Sequence, residues 1–450
     1  MPKKKTALTI EERLQQALVP AEEQPYEVPE NWVWVRLGAV CYASKEKSND
    51  FSNEIKYIGL EHLEKDKGIV GFSSADKVKS TKNAFQEGQI LYGRLRPYLN
   101  KHDIASFSGV CSTDILVFEA SVLVANVLVD KFFNLPFFIE YVVANSKGIN
   151  LPRVSEKTIL NTTFPLPPLS EQQRIVERIE ELFAKLDEAK ERLQEVADSF
   201  AVRNAAILHK AFTGELTKQW RLENGVSDES WEEKLLGDVC TVNPKKIDAK
   251  KLDDNLEVSF VPMAAVSDVL GEIVNHEVKN LQDVRTGFTN FSKGDVIFAK
   301  ITPCMENGKS AIVGPLVNDI GYGSTEFYVL RCKEELNNKY LYHMVRNTTF
   351  RAEAKAVMTG AVGQQRVPKT FLQEYQLLLP TLPEQHEIVR LIDDLLARER
   401  SVQQATEQAL ASIDLMKKSI LARAFRGELG TNKASEASAL ELLRQVLAEN

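Results

Sequence analysis

Two long stretches of this chain have the periodicity of amphipathic helices, and the second repeats the first. Between residues 170 and 212, apolar residues recur at alternating steps of four and three, the spacing of a coiled-coil face. This face comprises Ile175, Ile179, Leu182, Leu186, Ala189, Leu193, Val196 and Phe200. Ser170 and Gln173 have the spacing of a capping box, and Gly214 is suited to end the helix. At about 1.5 Å per residue, such a helix would span about 65 Å, more than one small domain needs.

The second stretch lies 213 residues later, as Glu171 and Glu384 illustrate. The segment LPPLSEQ at 166–172 returns as LPTLPEQ at 379–385, and ILHKAFTGEL at 207–216 returns as ILARAFRGEL at 420–429. The apolar face returns as Ile388, Ile392, Leu395, Val402, Ala409, Ile413 and Met416, with Glu399 and Thr406 as polar breaks. We predict that the two helices pair antiparallel, because the end of the first then meets the start of the second directly.

The remaining chain divides around these helices into two further repeated units. We predict an arm at 1–29, a first unit at 30–165, helix one at 166–216, a connector at 217–230, a second unit at 231–379, helix two at 380–429 and a tail with a short helix at 430–450. Trp32 and Cys41 return as Trp231 and Cys240. The predicted fold class is therefore α+β: two mixed α/β units separated by two long helices in an antiparallel coiled coil, with a pseudo-twofold internal repeat.

Composition bounds the classes of protein to which the chain can belong. The 450 residues suggest about three domains, and no apolar run approaches a membrane span. The five cysteines are scattered and never spaced as C-x-x-C, which favours a reducing, cytoplasmic location. A net charge of −7 argues against a protein that coats nucleic acid, although local basic patches remain compatible with it.

Motifs of catalytic sites are incomplete. The segment 303–310 resembles a phosphate loop, but Pro303 replaces its first glycine and the residues after it favour a strand. The segment NLPF at 134–137 resembles an amino-methyltransferase motif with Leu135 in place of proline. The six histidines lack metal-ligand spacing. The sequence therefore predicts no catalytic residues, metal ligands or cofactor in this chain.

Polar residues recur instead in matching loops of the two units, where they could read DNA. Arginine pairs with guanine and asparagine with adenine in the major groove, and lysine suits phosphates. The candidates in unit one are Arg94, Arg96, Asn100, Lys101, Lys77, Lys79, Lys82, Ser112 and Thr113; those in unit two are Lys300, Thr302, Asn307, Lys309, Arg285, Ser324 and Thr325. The alternative interpretation is that these are ordinary solvated loops.

The segment PLPPLSEQQRI at 165–175, with the helix ends AFTGEL at 211–216 and AFRGEL at 424–429, resembles the specificity subunits of type I restriction-modification enzymes. The resemblance implies two target recognition domains, each reading one half of a bipartite double-stranded DNA site. It also implies two modification subunits that use S-adenosylmethionine, and restriction subunits that use ATP and Mg2+. Two alternatives stay open: a self-sufficient DNA methyltransferase or nuclease, and a coiled-coil protein scaffold.

Overall fold

The computed structural model describes residues 9–49, 51–121, 124–248 and 252–449. The chain divides into two compact units: unit one is Met1–Gln194 with Gln408–Asn450, and unit two is Glu195–Glu407. Within the described ranges, no helix is both long enough and apolar enough to cross a membrane. By this division, the end of the second long helix and the chain's tail belong to unit one.

In both units, a run of short strands precedes three short helices and a last strand. The strands are β1 Val33–Arg36, β2 Cys41–Ala43, β3 Lys47–Ser48, β4 Lys56–Ile58, β5 Leu63–Glu64, β6 Gly68–Ile69, β7 Ser73–Ser74, β8 Lys82–Phe85, β9 Ile90–Gly93, β10 His102–Ile104, β11 Gly109–Cys111, β12 Ile115–Ala120, β13 Thr163–Leu166, β14 Glu232–Leu235, β15 Cys240–Val242, β16 Glu257–Val261, β17 Glu277–Asn280, β18 Thr289–Phe291, β19 Val296–Ala299, β20 Ser310–Ile312, β21 Gly321–Gly323, β22 Phe327–Cys332 and β23 Gln376–Leu379. The α-helices are α1 Ile10–Ala17, α2 Asn126–Phe132, α3 Pro136–Ala144, α4 Glu156–Leu160, α5 Leu169–Phe212, α6 Lys218–Asn224, α7 Leu236–Val239, α8 Leu281–Val284, α9 Asn338–Arg346, α10 Thr348–Ala356, α11 Lys369–Glu374, α12 Leu382–Ala424 and α13 Ala439–Glu449.

The two main sheets of each unit match in topology, except that unit one has the additional edge strand β3. In unit one, a sheet ordered β10-β9-β12-β2 accompanies a second sheet ordered β3-β8-β11-β4-β7. In unit two, the corresponding sheets are ordered β20-β19-β22-β15 and β18-β21-β16-β17. Each second sheet contains one parallel pair, β4 with β11 and β16 with β21. The antiparallel pairs β1-β13 and β14-β23 also match. The predicted α+β class with an internal repeat is therefore confirmed.

The end of each long helix is buried in the core of one unit. In unit one, the Phe425 ring lies 5.8 Å from Phe132 and 6.4 Å from Phe164, measured between ring centroids. In unit two, the Phe212 ring lies 5.1 Å from that of Tyr340. The repeated A-F-x-G-E-L segment therefore has the same role in both units. Its phenylalanine packs against aromatic residues of the unit and so fixes the end of the helix to it.

A buried glutamate in the first turn of each long helix accepts hydrogen bonds from side chains of other segments of the same unit. Glu171 is fully buried, and it accepts hydrogen bonds from the Trp32 indole at 2.7 Å, the Thr431 hydroxyl at 3.0 Å and the Asn432 amide at 2.8 Å. Glu384, its repeat, accepts from Arg221 at 2.7 Å. A buried carboxylate needs such donors to offset its desolvation.

The glutamine that follows each acid binds the domain rather than the helix. Gln172 donates to the Pro167 carbonyl at 3.2 Å and accepts from the Ala125 amide at 3.3 Å. Gln385 donates to the Pro380 carbonyl at 2.9 Å and accepts from the Asn337 amide at 2.8 Å. The repeated Glu-Gln pair is therefore a connection between helix and domain.

The predicted capping box is wrong. Helix α5 begins at Leu169, so Ser170 lies inside the first turn and cannot act as its N-cap. The Pro168 carbonyl instead accepts the backbone amides of Glu171 and Gln172, and the Gln173 side chain bonds Glu177 further along the helix. The apolar Leu169 could not be assigned to the helix from local spacing, because it precedes the residue that resembles a cap.

The long helices contact each other within each unit, and in unit one two ion pairs show that they run in opposite directions. In unit one, Lys417 pairs with Asp187 at 2.5 Å and Asp414 pairs with Lys190 at 3.4 Å, so a step forward on α5 is a step back on α12. In unit two, Arg203 pairs with Glu399 at 2.9 Å. Glu399, interpreted from the sequence as a polar break in the apolar face, therefore forms an ion pair between the helices.

The predicted apolar face of the two helices is buried mainly where a helix packs against a domain. Ile175, Ile179, Ile388, Ile392, Phe200 and Ile413 are buried, while Leu182, Leu186, Leu193 and Leu395 are half-buried. Val196, Val402 and Met416 are 37%, 46% and 51% exposed. A strict heptad stripe drifts by about 20° per heptad around a straight helix, which turns such positions away from the partner helix.

The segments outside the predicted domains are also structured. The stretch 217–230, predicted as a connector, contains α6. In unit one, α13 packs against α1: Leu442 and Leu443 are buried in the same core as Leu14, and the Arg13 guanidinium donates to the Leu447 carbonyl at 3.2 Å. The short helix predicted in the tail therefore packs back on its own protein.

Candidate nucleic-acid interface

In each unit, the polar loop after a central strand is held by backbone hydrogen bonds to two other segments. The Arg94 amide, just after β9, donates to the Asp114 carbonyl at 2.9 Å, and its own carbonyl accepts the Val154 amide at 3.0 Å. Just after β19, Lys300 makes the same two bonds at 2.9 Å, to the Glu326 carbonyl and from the Val367 amide. The two loops are thus built on one frame while their side chains differ.

An arginine–carboxylate pair reinforces this frame in both units. Arg153 contacts the two carboxylate oxygens of Asp114 at 3.0 and 3.2 Å. Arg366 contacts those of Glu326 at 2.6 and 3.0 Å, and these hydrogen bonds hold the pKa of Glu326 below its usual value. Such two-point contacts fix direction as well as distance. The sequence shows that both residues recur, but their separation by about forty positions conceals the pairing.

A cleft beside this pair in unit one is lined by cations. Its volume is about 590 Å³, and its lining consists of Arg94, Tyr141, Asn145, Lys147, Arg153, Ser155, Lys157, Thr158 and Asn161. Four of these side chains are basic and none is acidic, while the amides and hydroxyls can donate to or accept from base edges. A concave, positively charged surface of this kind suits the backbone of a nucleic acid. Of the predicted residues, only Arg94 lines it.

The other predicted residues of the loop after β9 differ in exposure. Arg96 is exposed and has a left-handed backbone with φ 53°. Asn100 is buried, and its amide donates to the Phe133 carbonyl at 3.0 Å. The Lys101 ammonium donates to the Leu60 carbonyl at 3.0 Å. Asn100 and Lys101 therefore tie the loop to its own unit, and Arg96 is the side chain that faces solvent.

The remaining candidates of unit one are peripheral. Ser112 accepts the Asp114 amide at 3.3 Å and so caps a turn, while the neighbouring Thr113 is exposed. Lys79 is exposed, and Lys82 donates to the Ser80 hydroxyl at 2.7 Å. The side chain of Lys77 lies outside the described residues. No contact with DNA is tested for any of them, so their role stays a prediction.

In unit two, Lys300, Thr302 and Lys309 face inward. The Lys300 ammonium lies 5.1 Å from the centroid of the Tyr328 ring, and burial lowers its pKa. Thr302 accepts the Gln365 amide at 3.1 Å, and Lys309 donates to the Met263 carbonyl at 3.3 Å. These three side chains support the loop.

The remaining candidates of unit two lie nearer the surface. Asn307 and Thr325 are exposed. Ser324 caps a turn by accepting the Glu326 amide at 3.2 Å, as Ser112 does in unit one. Arg285 forms an ion pair with Asp254. Asn307 and Thr325 are therefore the predicted residues of this unit whose side chains are open to a ligand.

The cleft adds residues that sequence reasoning did not select. Lys147 and Lys157 lie more than fifty positions after Arg94, on the loop after α3 and on α4. The three basic residues Lys147, Arg153 and Lys157 were the available signal, but they are separated by five and three other residues and form no basic cluster in the sequence. Their convergence depends on the backbone bonds to the loop after β9.

Comparison with known proteins matches most of the chain to one protein family. The model of the type I restriction modification DNA specificity domain matches residues 29–198 and 228–410. The specificity subunit of type I restriction enzyme EcoEI from Escherichia coli is 32% identical over 263 residues, covering 49% of this chain and 44% of that protein. The EcoBI specificity subunit from Escherichia coli is 27% identical over 346 residues, 70% of each chain.

A solved structure agrees in fold. The HsdS subunit from Thermoanaerobacter tengcongensis aligns over 90% of this chain and 99% of that one, with a TM-score of 0.66 and 22% identity. The chain spans less than half the length of three of the relatives that it matches. The family model nevertheless matches both repeats, with the two units and the long helices in the order described above. The chain therefore belongs to the family of the type I restriction modification DNA specificity domain.

Proposed function

We propose that this chain is the DNA specificity subunit of a type I restriction-modification system and that each unit reads one half of a bipartite target. The observation that carries the proposal is the pair of matching loops. Their backbone bonds and arginine–carboxylate pairs are the same, whereas the solvent-facing residues differ, Arg96 in one and Asn307 in the other. One frame with two sets of polar side chains suits two different sequences read in the same way.

The cleft of unit one supports a phosphate-contacting role. Lys147 and Lys157 would neutralise backbone charges and fix the register of the duplex, while Arg96 and Tyr141 approach base edges. The acidic net charge of the whole chain is compatible with this role, because basic side chains line the cleft of unit one.

The long helices would set the distance between the two half-sites. Helices α5 and α12 have 44 and 43 residues, so each is about 65 Å long at about 1.5 Å per residue. Readers held by a stiff spacer engage grooves at a fixed separation and leave the intervening bases unread. The target would therefore consist of two short specific sequences with a gap of constant length.

Catalysis would belong to partner proteins. We propose that two modification subunits, binding S-adenosylmethionine, and restriction subunits, binding ATP and Mg2+, assemble with this chain, which itself carries out no reaction. Half-exposed apolar residues on the long helices, such as Val402 and Met416, are available for such assembly. The protein would act in the cytoplasm, where genomic DNA is accessible.

Exchange of the part of unit one that is proposed to read DNA tests the proposal. Residues 31–164 would be replaced by the corresponding unit of another family member, and the methylated sequences would be mapped with the modification subunits present. We expect one half of the target to change while the other half and the gap are kept. A change in both halves would refute modular reading. Methylation by the isolated chain would favour a self-sufficient enzyme, and binding indifferent to DNA sequence would favour a scaffold.

A further inference from the structure

The loop beside the cation-lined cleft carries a fully exposed isoleucine at its tip. Lys147 and Arg153 exchange two backbone hydrogen bonds, of 2.9 and 2.8 Å, which close the loop 147–153. Between them, Ile149 is 100% exposed. Gly148 precedes it with φ +105°, and a Cβ there would come within 3.0 Å of the Leu151 carbonyl oxygen. The backbone therefore requires glycine at this position, and the turn directs the next residue into solvent.

Unit two repeats this arrangement with a different aliphatic residue. Thr359 and Arg366 exchange two backbone hydrogen bonds, of 3.0 and 2.8 Å, which close the loop 359–366. Val362 is 99% exposed, and it lies four residues before Arg366, as Ile149 lies four before Arg153. Gly360 has φ +124° and an equally close contact, 3.0 Å from Cβ to a carbonyl oxygen. The two loops, which we call the tip loops, differ by one residue in length.

Both tip loops are held firmly at their base. The Pro152 carbonyl accepts the Arg96 amide at 2.7 Å, and the Gln365 carbonyl accepts the Thr302 amide at 3.0 Å. The closing arginines are fixed by their carboxylate partners. An exposed aliphatic side chain on a well-anchored loop gains nothing from burial within its own unit. Its hydrophobic surface is available to a ligand.

The chemistry around the tips favours nucleic acid over an apolar protein surface. Neither tip loop contains an acidic residue, and each contains an arginine, accompanied by Lys147 in unit one and by Gln364 and Gln365 in unit two. The carboxylates nearest the tips, Asp114 and Glu326, are compensated by the loop arginines, so a small apolar side chain beside Lys147 or beside amides can approach a phosphate backbone. Proteins that deform DNA use this combination, inserting an aliphatic side chain between neighbouring base pairs.

We propose that Ile149 and Val362 insert between stacked base pairs of duplex DNA, one at each half-site. This inference rests on the proposed function, since it requires that each unit binds a duplex. Each residue would partly unstack one base step, and the specific sequence would be favoured where that step separates most easily. The tip loops thus contribute to recognition through the deformability of the DNA rather than through hydrogen bonds to bases.

Fluorescence of 2-aminopurine tests the proposal. The full chain, together with the modification subunits, would first select its target from a random-sequence duplex library. Duplexes of the selected sequence with 2-aminopurine at successive positions should brighten on binding at one step in each half-site. Ile149→Ala should abolish the signal in one half-site only and weaken binding about fiftyfold; Val362→Ala should do so in the other half-site, by about tenfold. Ile149→Leu should keep both signal and affinity.

Two controls separate insertion from general damage. Asn150→Ala alters the same tip loop beside Ile149, and Val269→Ala removes an aliphatic side chain that is 83% exposed outside the tip loops and the long helices. Both should leave fluorescence and affinity unchanged. Selection that succeeds without any bright step, or with unchanged affinity of Ile149→Ala, would overturn insertion and leave the proposed function standing. Failure of the wild-type complex to select any sequence would overturn both.

Discussion

Replacement of Glu171 by alanine should destabilise unit one more than any surface change on α5. The carboxylate is fully buried and accepts three hydrogen bonds, of 2.7 to 3.0 Å, from Trp32, Thr431 and Asn432. Alanine would leave the buried indole N–H of Trp32 without its acceptor, and would remove one of the two acceptors of the half-buried Asn432 amide. The Thr431 hydroxyl can rotate toward another partner, so two donors dominate the loss.

The expected magnitude follows from these two donors. A hydrogen bond to a charged acceptor contributes about 1.5 to 3 kcal/mol, and stranding its donor costs a similar amount. We therefore expect Glu171→Ala to lower the free energy of unfolding of unit one by about 4 kcal/mol. That is a large part of the stability of an ordinary domain, about 5 to 15 kcal/mol. The segment around Thr431 should detach first, because it is held by the side chain that is removed.

Native-state hydrogen exchange measured by mass spectrometry reports this loss locally. Peptides that contain Trp32, the start of α5 and residues 429–436 should exchange about a thousandfold faster in Glu171→Ala, while peptides of unit two keep the wild-type rate. Gln173→Ala, an exposed change on the same turn, is the matched control and should alter the free energy of unfolding by less than about 0.5 kcal/mol. A loss below about 1 kcal/mol would show that the buried acid is not the main connection.

Two further predictions concern charge. Lys147→Ala and Lys157→Ala should each weaken DNA binding for all sequences alike and reduce the slope of log K against log salt by about one; titration at several salt concentrations measures this, and an unchanged slope would remove the cleft from the interface. The hydrogen bond from His343 is the main cause that lowers the pKa of Asp393 to about 2, with burial opposing it. This carboxylate therefore stabilises unit two above its unfolded pKa of about 3.9, and the contribution is lost as pH falls through about 2. Asp393→Asn should flatten that acid dependence in urea unfolding; an identical pH profile would contradict the assignment.

The long helices could be predicted from sequence because their determinants are local. Apolar spacing and the helix-ending Gly214 placed α5 within one residue of its observed start, Leu169, and at its observed end, Phe212. The internal repeat extended the same reasoning to α12. The bonds from Thr431 and Asn432 to Glu171 were not predicted, because these residues lie about 260 positions away. Spacing within a helix cannot reveal such a partner.

The candidate site was harder to predict because exposure is a tertiary property. Asn100 and Arg96 are close in sequence and equally capable of reading a base, yet one is buried beneath the loop and the other faces solvent. The cleft residues Lys147 and Lys157 join Arg94 only through the backbone bonds that bring Val154 to the loop after β9. Residue type therefore predicted the kind of chemistry, and the fold decided which side chains can carry it out.

The ion pairs between the long helices define which heptads must be removed together to test the spacer. Lys417 pairs with Asp187 and Asp414 with Lys190, so residues 186–192 lie opposite 412–418 within unit one. Deletion of both segments removes these pairs as a set and keeps the register of every remaining contact.

Each helix shortens by about 10 Å, close to three base pairs of duplex at 3.4 Å each. If the helices space the half-sites, mapped methylation should show the same two half-sites with a gap about three base pairs shorter. Deletion of 186–192 with the non-opposed segment 399–405 serves as the control, because it places mismatched stretches against each other and should lower thermal stability instead. An unchanged gap in the register-preserving variant, with both half-sites still methylated, would exclude the helices as the spacer.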